Sequence, residues 1–313
     1  MADDNIRSLS AVVPVFNSAE SLPELLGRLH AVLGATGLEY EIILVNDGSR
    51  DDSWARIAEL SRECPRTHGI NLMRNYGQHN AVLCGIRKAR FDAVVTLDDD
   101  LQHPPEEIPA LLAALSPDVD VVYGTPEKEQ HGFLRDLASQ ITKIALQSAM
   151  GAETARKVSA FRAFRTRVRE SFADYRGTFV SIDVLVTWGT VRFGSVPVRH
   201  DARPRGVSNY TFRMLVLHAL NMMTGFSVLP LQIASMVGFA FTLFGLGILA
   251  YVLGRFLILG GSVPGFPFLA SIIAIFSGAQ LFSLGIIGEY LSRMHFRLMD
   301  RPAYAVRAET ATQ

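Results

Sequence analysis

Between residues 214 and 288 the chain carries a single charged side chain, Arg255, with 41 uncharged residues before it and 33 after it. Both stretches exceed the ~20 apolar residues that a helix needs to cross a bilayer. The first apolar run, Leu229 to Leu259, is separated from a second one, ending at Gly288, by Gly260-Gly261-Ser262-Val263-Pro264-Gly265, a composition that breaks a helix. The pattern predicts a hairpin of two membrane-spanning helices over residues 228–290 and excludes a purely soluble protein.

A two-helix hairpin returns both of its flanks to one side of the membrane. Arg199, Arg203, Arg205 and Arg213 precede it, and Arg293, Arg297, Arg301 and Arg307 follow it. The positive-inside tendency then puts both termini in the cytoplasm and, in a bacterium, the hairpin in the inner membrane. Arg255, near the far end of the first helix, can reach the headgroups with its long side chain. Before the hairpin, Phe212, Leu215, Val216, Ala219, Leu220 and Met223 recur at helical spacing, interrupted by Arg213, His218 and Asn221. Residues 209–227 therefore read as an amphipathic helix in the interface, the alternative being a cytoplasmic extension of the first span. Residues 291–313 read as a cytoplasmic tail, and the glycine-rich helix faces leave room for a homo-oligomer.

The formal charge is zero, with 30 basic and 30 acidic side chains, but its distribution is uneven. Residues 1–150 hold 13 basic and 22 acidic side chains (13 − 22 = −9), and residues 151–213 hold 12 and 5 (12 − 5 = +7). One globular domain of ordinary polarity, residues 1–208, accounts for the first part, and no nucleic-acid partner is expected. Cys64 and Cys84 lack paired-ligand spacing, so a reducing compartment is expected rather than a disulfide framework or zinc cluster. Met1 to Ser8 has no apolar core and is not read as a secretory signal.

Within residues 1–208 short apolar runs alternate with helical patterns. Strands are predicted at Ala11–Pro14, Glu41–Val45, Ile70–Met73, Ala93–Leu97 and Val119–Tyr123, and helices at Ser21–Leu33, Asp52–Cys64, His79–Ala89 and Pro105–Leu115. Asn17, Ser18 and Asp51 stand as helix caps, and Pro104-Pro105-Glu106-Glu107 suits a helix start. The alternation predicts an open, mostly parallel α/β sheet, which binds ligands at the C-terminal ends of its strands. Those ends are polar: Asn17, Asn46-Asp47-Gly48-Ser49, Arg74-Asn75-Tyr76-Gly77 and Asp98-Asp99-Asp100-Leu101-Gln102. Neither a dinucleotide fingerprint nor a phosphate-binding loop of NTPases is present, so a nucleotide would be held through acids and a metal. On an extended backbone Asp98, Asp100 and Gln102 share one side while Asp99 points the other way. Such hard oxygen ligands suit Mg²⁺ or Mn²⁺ carrying a diphosphate.

The runs Val12-Val13-Pro14-Val15-Phe16-Asn17, Val45-Asn46-Asp47-Gly48-Ser49, Arg74-Asn75-Tyr76-Gly77 and Asp98 to Glu107 resemble the inverting family 2 glycosyltransferases. Ser159-Ala160-Phe161-Arg162, Arg203-Pro204-Arg205-Gly206-Val207-Ser208-Asn209-Tyr210 and Gly285-Ile286-Ile287-Gly288-Glu289-Tyr290 are similar to the polyprenyl-phosphate glycosyltransferases within it. That group includes dolichol-phosphate mannose synthases and undecaprenyl-phosphate glucosyl and aminoarabinosyl transferases. The resemblance implies a glycosyltransferase A-type, Rossmann-like open mixed sheet, followed by the interface helix and the two spanning helices.

It also implies roles. Pro14, Phe16, Asp47, Gly48 and Ser49 match the nucleoside pocket, Asp47 as a partner of the base, with Asp99 and Arg135 also on the nucleotide. Asp98, Asp100 and Gln102 match the metal and diphosphate ligands. Asp98, Asp100 and Arg203 are then the catalytic set, and Arg162, Arg205 and Ser208 meet the acceptor phosphate. The implied reaction is metal-dependent, inverting transfer of one sugar from a nucleotide sugar, UDP first, to undecaprenyl phosphate. A phosphomonoester with a second pKa near ~6 is already ionised at neutral pH, so it can attack without a catalytic base. The rival readings are a processive polysaccharide synthase, whose Gln-x-x-Arg-Trp motif Trp54 and Trp188 do not supply, and a non-catalytic nucleotide-binding subunit of the same fold.

Overall fold

A computed structural model describes residues 5–126, 157–177, 179–201, 229–259 and 265–310. The chain divides into one compact unit, Met1–Ala219 with Asp300–Gln313, and a second, Leu220–Met299.

The first unit is built on four parallel strands, β1 (Ser8–Val15), β2 (Glu39–Asn46), β3 (Thr67–Leu72) and β4 (Ala93–Thr96). They are joined by helices α1 (Leu22–Ala35), α2 (Ser53–Glu63) and α3 (Gln78–Lys88), close to the expected positions. The fourth expected helix is split: Pro105–Glu107 is a single 3₁₀ turn and α4 runs only from Ile108 to Ala114. Pro109 explains the split, because proline has no N–H to continue the ladder and fits only a first helical turn.

Side-chain alternation along the strands produces two cores. Leu9, Ala11, Val13 and Val15 of β1 pack with Leu22, Leu25, Leu29 and Leu33 of α1 and Leu111 of α4. On the other face Val12, with Ile43 and Val45 of β2, packs with Leu83, Cys84 and Ile86 of α3. Successive strand residues point to opposite faces, so strands covered on both faces carry unbroken apolar runs, as β1 does from Ala11 to Val15. Gly85 lets α3 approach, since a Cβ there would lie 2.3 Å from Val12 Cγ1.

The remainder of the sheet keeps it mostly parallel and makes it mixed, since only β6 and β8 run against the other strands. After β5 (Val121–Pro126), strand β6 (Arg162–Arg165) inserts antiparallel between β4 and β5; helix α5 (Ile182–Thr187) leads to β7 (Phe193–Val198), parallel to β5. At the other edge β8 (Val306–Glu309), from the segment expected to be a tail, pairs antiparallel with β3. The eight-stranded order is β7-β5-β6-β4-β1-β2-β3-β8. A salt bridge of 2.8 Å between Lys88 and Glu309, and the Thr310 hydroxyl accepting from Gly69 N–H at 2.8 Å, fasten β8 in place.

In the second unit α6 (Leu229–Leu259) and α7 (Phe266–Leu298) are continuous helices. Leu229–Ile258 is long and apolar enough to cross a membrane, and none of its most apolar window is buried. At ~1.5 Å per residue its 30 residues extend about 45 Å, against a hydrocarbon core of about 30 Å. The two helices meet where Phe276 packs edge-on to Phe241, with Gly245 beneath its ring. Helix α7 continues beyond the expected end at residue 290, through the Glu289–Arg293 pair at 2.8 Å. The expected interface helix, residues 209–227, lies outside the described residues.

At the end of the sheet away from the strand-end loops, His30 on α1 lies with its ring nitrogens 3.1 Å from Tyr40 Oη and 3.1 Å from Thr67 Oγ1. Burial lowers its pKa, followed by the charge of Arg66. Below pH ~6.5 the unfolded chain binds this proton more readily than the fold does, so stability falls as pH falls through that value. The drop in melting temperature from pH 7.5 to 5.5 is expected to be smaller in His30→Gln than in the parent protein, as followed by circular dichroism.

Candidate active site

The sheet order reverses between β1 and β4, which is where open α/β sheets bind ligands. Pairing of β1 with β4 ends at Val12↔Thr96, whereas pairing with β2 continues to Val15↔Asn46. Pro14, buried in β1, thus falls beyond the β4 ladder, and the two strands part toward their C-terminal ends.

Each of the four strand ends turns through a left-handed residue: Asn17 (φ 55°), Gly48 (φ 64°), Gly77 (φ 94°) and Leu101 (φ 60°). Hydrogen bonds tie these turns together. Asp99 Oδ2 accepts from Phe16 N–H at 3.1 Å, Ser49 Oγ from Asn17 N–H at 3.0 Å, and Asn17 Oδ1 from Arg50 N–H at 2.8 Å. Asp52 holds the cap position of α2, and Asp51 before it accepts at Oδ1 from the first helical amide, Ser53 N–H, at 3.1 Å and at Oδ2 from Ala19 N–H at 3.1 Å. Asn17 and Ser18, expected as caps of α1, instead serve these cross-strand bonds, and Ser21 holds the cap position.

Asp47 is buried at the end of β2, and its two oxygens accept from Tyr76 N–H at 2.7 Å and Gly77 N–H at 2.9 Å. Burial raises its pKa, with the two amides pulling the other way. Gly77 adopts a backbone conformation suited only to glycine, and the residue after it, Gln78, donates its amide to Asp98 Oδ1 at 2.6 Å. A single chain of contacts therefore runs from Asp47 through Gly77 to the first aspartate of the triplet. Asp47 orients the β3 loop, a role the sequence reading did not give it. Gln78 is the residue that reading missed; its position directly after Arg74-Asn75-Tyr76-Gly77 was the available signal.

Residues 98–102 form a turn rather than the expected extended run. Gln102 N–H donates to Asp100 Oδ1 at 3.1 Å, and Leu101, only 3% exposed, holds the left-handed position. Asp98 and Asp99 nevertheless engage different elements, α3 and β1. Burial raises the Asp99 pKa, against bonds from Ser18 and the Phe16 amide, so this carboxyl belongs to the joint between β1 and β4 as well as to the site.

Among the described residues no three His, Cys, Asp or Glu side chains converge as a complete metal site. Asp98, Asp100 and Gln102 offer a partial set of hard oxygens on one turn. That fits Mg²⁺ or Mn²⁺, which keep waters and take phosphate oxygens from a substrate to complete their shells. Phe16 is 45% exposed beside Gly48 and Ser49, an aromatic face available to a base.

Arg162 corrects the expectation that it meets an acceptor phosphate. It is 3% exposed in β6, and its guanidinium is paired with the buried Asp183 of α5. Arg135, Arg203, Arg205 and Ser208 lie outside the described residues.

Residues 10–175, more than half of the chain, match the family described as Glycosyl transferase family 2. The chain belongs to that family. Relatives extend the likeness beyond the matched segment. It is 36% identical over 315 residues to an undecaprenyl-phosphate 4-deoxy-4-formamido-L-arabinose transferase of Shewanella sediminis, covering 97% of this chain and 93% of the relative. The transferase of the same description from Klebsiella pneumoniae is 33% identical, covering 96% and 93%. The family 2 glycosyltransferase is thus an enzyme of the polyprenyl-phosphate group. Among solved structures, mannosyl-3-phosphoglycerate synthase from Rubrobacter xylanophilus shares the fold at a TM-score of 0.50 and 20% identity, covering 68% of this chain and 72% of that one. Glucosyl-3-phosphoglycerate synthase from Mycobacterium tuberculosis, solved with Mn²⁺, uridine-diphosphate and glucosyl-3-phosphoglycerate, does so at 0.51 and 16%, covering 70% and 78%. These likenesses establish the glycosyltransferase A-like mixed sheet.

The site depends on close backbone approach at Gly48, where a Cβ would lie 2.4 Å from the Arg74 carbonyl carbon. Gly48→Ala is expected to cost more than about 1 kcal/mol of stability, since it adds a clash to a left-handed φ. Gly27→Ala, on open helix surface with nothing within 4 Å, is expected to stabilise by about 0.5 kcal/mol. Urea unfolding of both variants checks the contrast.

Proposed function

We propose that this glycosyltransferase transfers 4-deoxy-4-formamido-L-arabinose from its UDP-linked donor to undecaprenyl phosphate, with inversion, at the cytoplasmic face of the inner membrane. Support for sugar and acceptor comes from the description of relatives that match nearly the full chain. The observation that carries the donor side is the gathering of Asp98, Asp100 and Gln102 on one strained turn at the reversal point of the sheet, beside the exposed Phe16 ring.

In this reading the nucleoside lies against Phe16 and the Gly48–Ser49 turn, and Asp99 holds the β1 and β4 ends at the spacing the nucleotide needs. Asp98, Asp100 and Gln102 hold a divalent cation with the donor diphosphate. When bound, the cation neutralises charge on the departing nucleoside diphosphate. An oxygen of the acceptor phosphate bonds to the anomeric carbon as the bond from that carbon to the diphosphate oxygen breaks, and the diphosphate leaves with the electron pair. The acceptor is already ionised at neutral pH, so the protein's work is positioning and charge stabilisation rather than proton abstraction. Arg203, Arg205 and Ser208 are assigned to the acceptor phosphate and Arg135 to the donor phosphates; Arg162 is not.

Helices α6 and α7 are both assigned as spans, with the two termini cytoplasmic. The pairing of β8 with β3 supports this topology, because an even number of crossings is required if both ends of the hairpin belong to one sheet.

The experiment is incubation of the detergent-purified protein with undecaprenyl phosphate and a panel of UDP-sugars, followed by mass measurement of the lipid. One added 4-deoxy-4-formamido-pentose per lipid is expected, with loss of product in EDTA and in Asp100→Ala. Full activity of Asp100→Ala would remove the metal assignment, and a different added mass would remove the sugar.

A further inference from the structure

Three aromatic rings from three separate stretches of chain stack beside the donor loop. Phe161, fully buried just before β6, has its ring centroid 5.4 Å from that of His103 at an interplanar angle of 28°. On the other side His200 lies 4.9 Å from His103 at 15°. The backbone is stitched at the same place: Asp201 N–H donates to the Gln102 carbonyl at 2.9 Å, and His200 Nδ1 lies 3.2 Å from that oxygen. Gln102 is the last residue of the donor turn, and Asp201 stands two positions before Arg203 in the chain.

We infer that Phe161, His103 and His200 are positioning residues, a ring clamp that holds the Asp98–Gln102 turn in the conformation that binds the donor and ties it to the segment leading to Arg203. This rests on the assignment of that turn to the metal and diphosphate.

Three observations carry it. The turn contains a left-handed non-glycine residue, Leu101, a conformation that persists only where surrounding contacts impose it. On its N-terminal side the turn is held by Phe16 and Gln78; on its C-terminal side the described contacts from outside the turn to Gln102 and His103 are the ring stack, the Asp201 amide and His200 Nδ1 at the Gln102 carbonyl. His103 Nδ1 is buried with no hydrogen-bond partner among the described residues, so stacking rather than hydrogen bonding at that atom fixes the ring. The anchor is firm, because Phe161 is fully buried and its carbonyl accepts from Gly124 N–H at 2.9 Å in β5. His200, by contrast, is exposed and can be changed without opening a core.

The test compares full-length His200→Ala and His200→Phe with the parent protein in detergent. Three quantities are read: Mn²⁺ affinity in the presence of UDP by electron paramagnetic resonance of the free ion, hydrogen exchange of the peptide spanning residues 97–103, and the steady-state constants for donor and acceptor. In His200→Ala, Mn²⁺ binding is expected to weaken about tenfold or more, as for other residues that orient metal ligands. The donor KM should rise more than kcat falls, the acceptor KM should hold, and exchange in residues 97–103 should accelerate while the melting temperature stays near the parent's. His200→Phe, which keeps the ring and loses the nitrogen, should restore all of these. Unchanged exchange and Mn²⁺ affinity in His200→Ala would overturn the clamp, and so would a loss that His200→Phe fails to rescue. If the parent protein binds no Mn²⁺ with UDP while exchange still responds to the ring and its replacement, the clamp stands and the metal assignment falls.

Discussion

Where a parallel strand ends, its backbone N–H groups leave the ladder and must find other acceptors, because a buried unpaired donor is costly. In this protein the acceptors are carboxylates, hydroxyls and amides from neighbouring strand ends: Asp99 for Phe16, Ser49 for Asn17, Asp47 for Tyr76 and Gly77, Asp51 for Ala19. The polar residues that a ligand would meet are thus the same ones that close the turns. A carboxylate already bonded to backbone amides has lost its rotational freedom, so these side chains are fixed in place without a ligand. That is the form of preorganisation that reduces the ordering cost of binding.

The same constraint explains which parts were legible in the sequence. Buried parallel strands carry apolar runs, and Ala11–Val13 of β1, Ile42–Val45 of β2 and Ala93–Val95 of β4 stand out for that reason, while β3 offers only Ile70 and Leu72. Strand β6 does not, since Arg162-Ala163-Phe164-Arg165 carries an arginine at each end, and both are buried; one is neutralised by Asp183, a partner 21 residues away that periodicity cannot reveal. Strand β8 is four residues long with two charges, and it becomes a strand only because β3 offers an edge. In the site, the aspartate run was visible as chemistry, but the turn that shapes it depends on Leu101 in a conformation no propensity favours. Asp47 was visible as a polar strand end, and its service to the β3 loop was not, because that contact joins residues 30 apart at its longer step.

The arginines illustrate the difference between charge as composition and charge as structure. Residues 151–213 carry a basic excess. Several of its members are spent internally: Arg162 on Asp183, and Arg167 and Arg192 together on Asp120, whose carboxylate has both oxygens occupied. A guanidinium fork matches a carboxylate well enough to hold a sheet edge as readily as it holds a phosphate, so sequence position alone does not separate the two uses.

The pairing of β8 with β3 also bears on how the protein is made. The edge of β3 exists as soon as the first hundred residues have emerged, yet its partner is encoded after both long helices. At about 5–20 residues per second, an interval on the order of 10–50 s passes between synthesis of the two strands. Through that time a strand edge with unpaired backbone N–H and C=O groups, the kind of surface that recruits foreign strands, stands open. The sheet is therefore completed only after both long helices have been synthesised, however early its first four strands have formed.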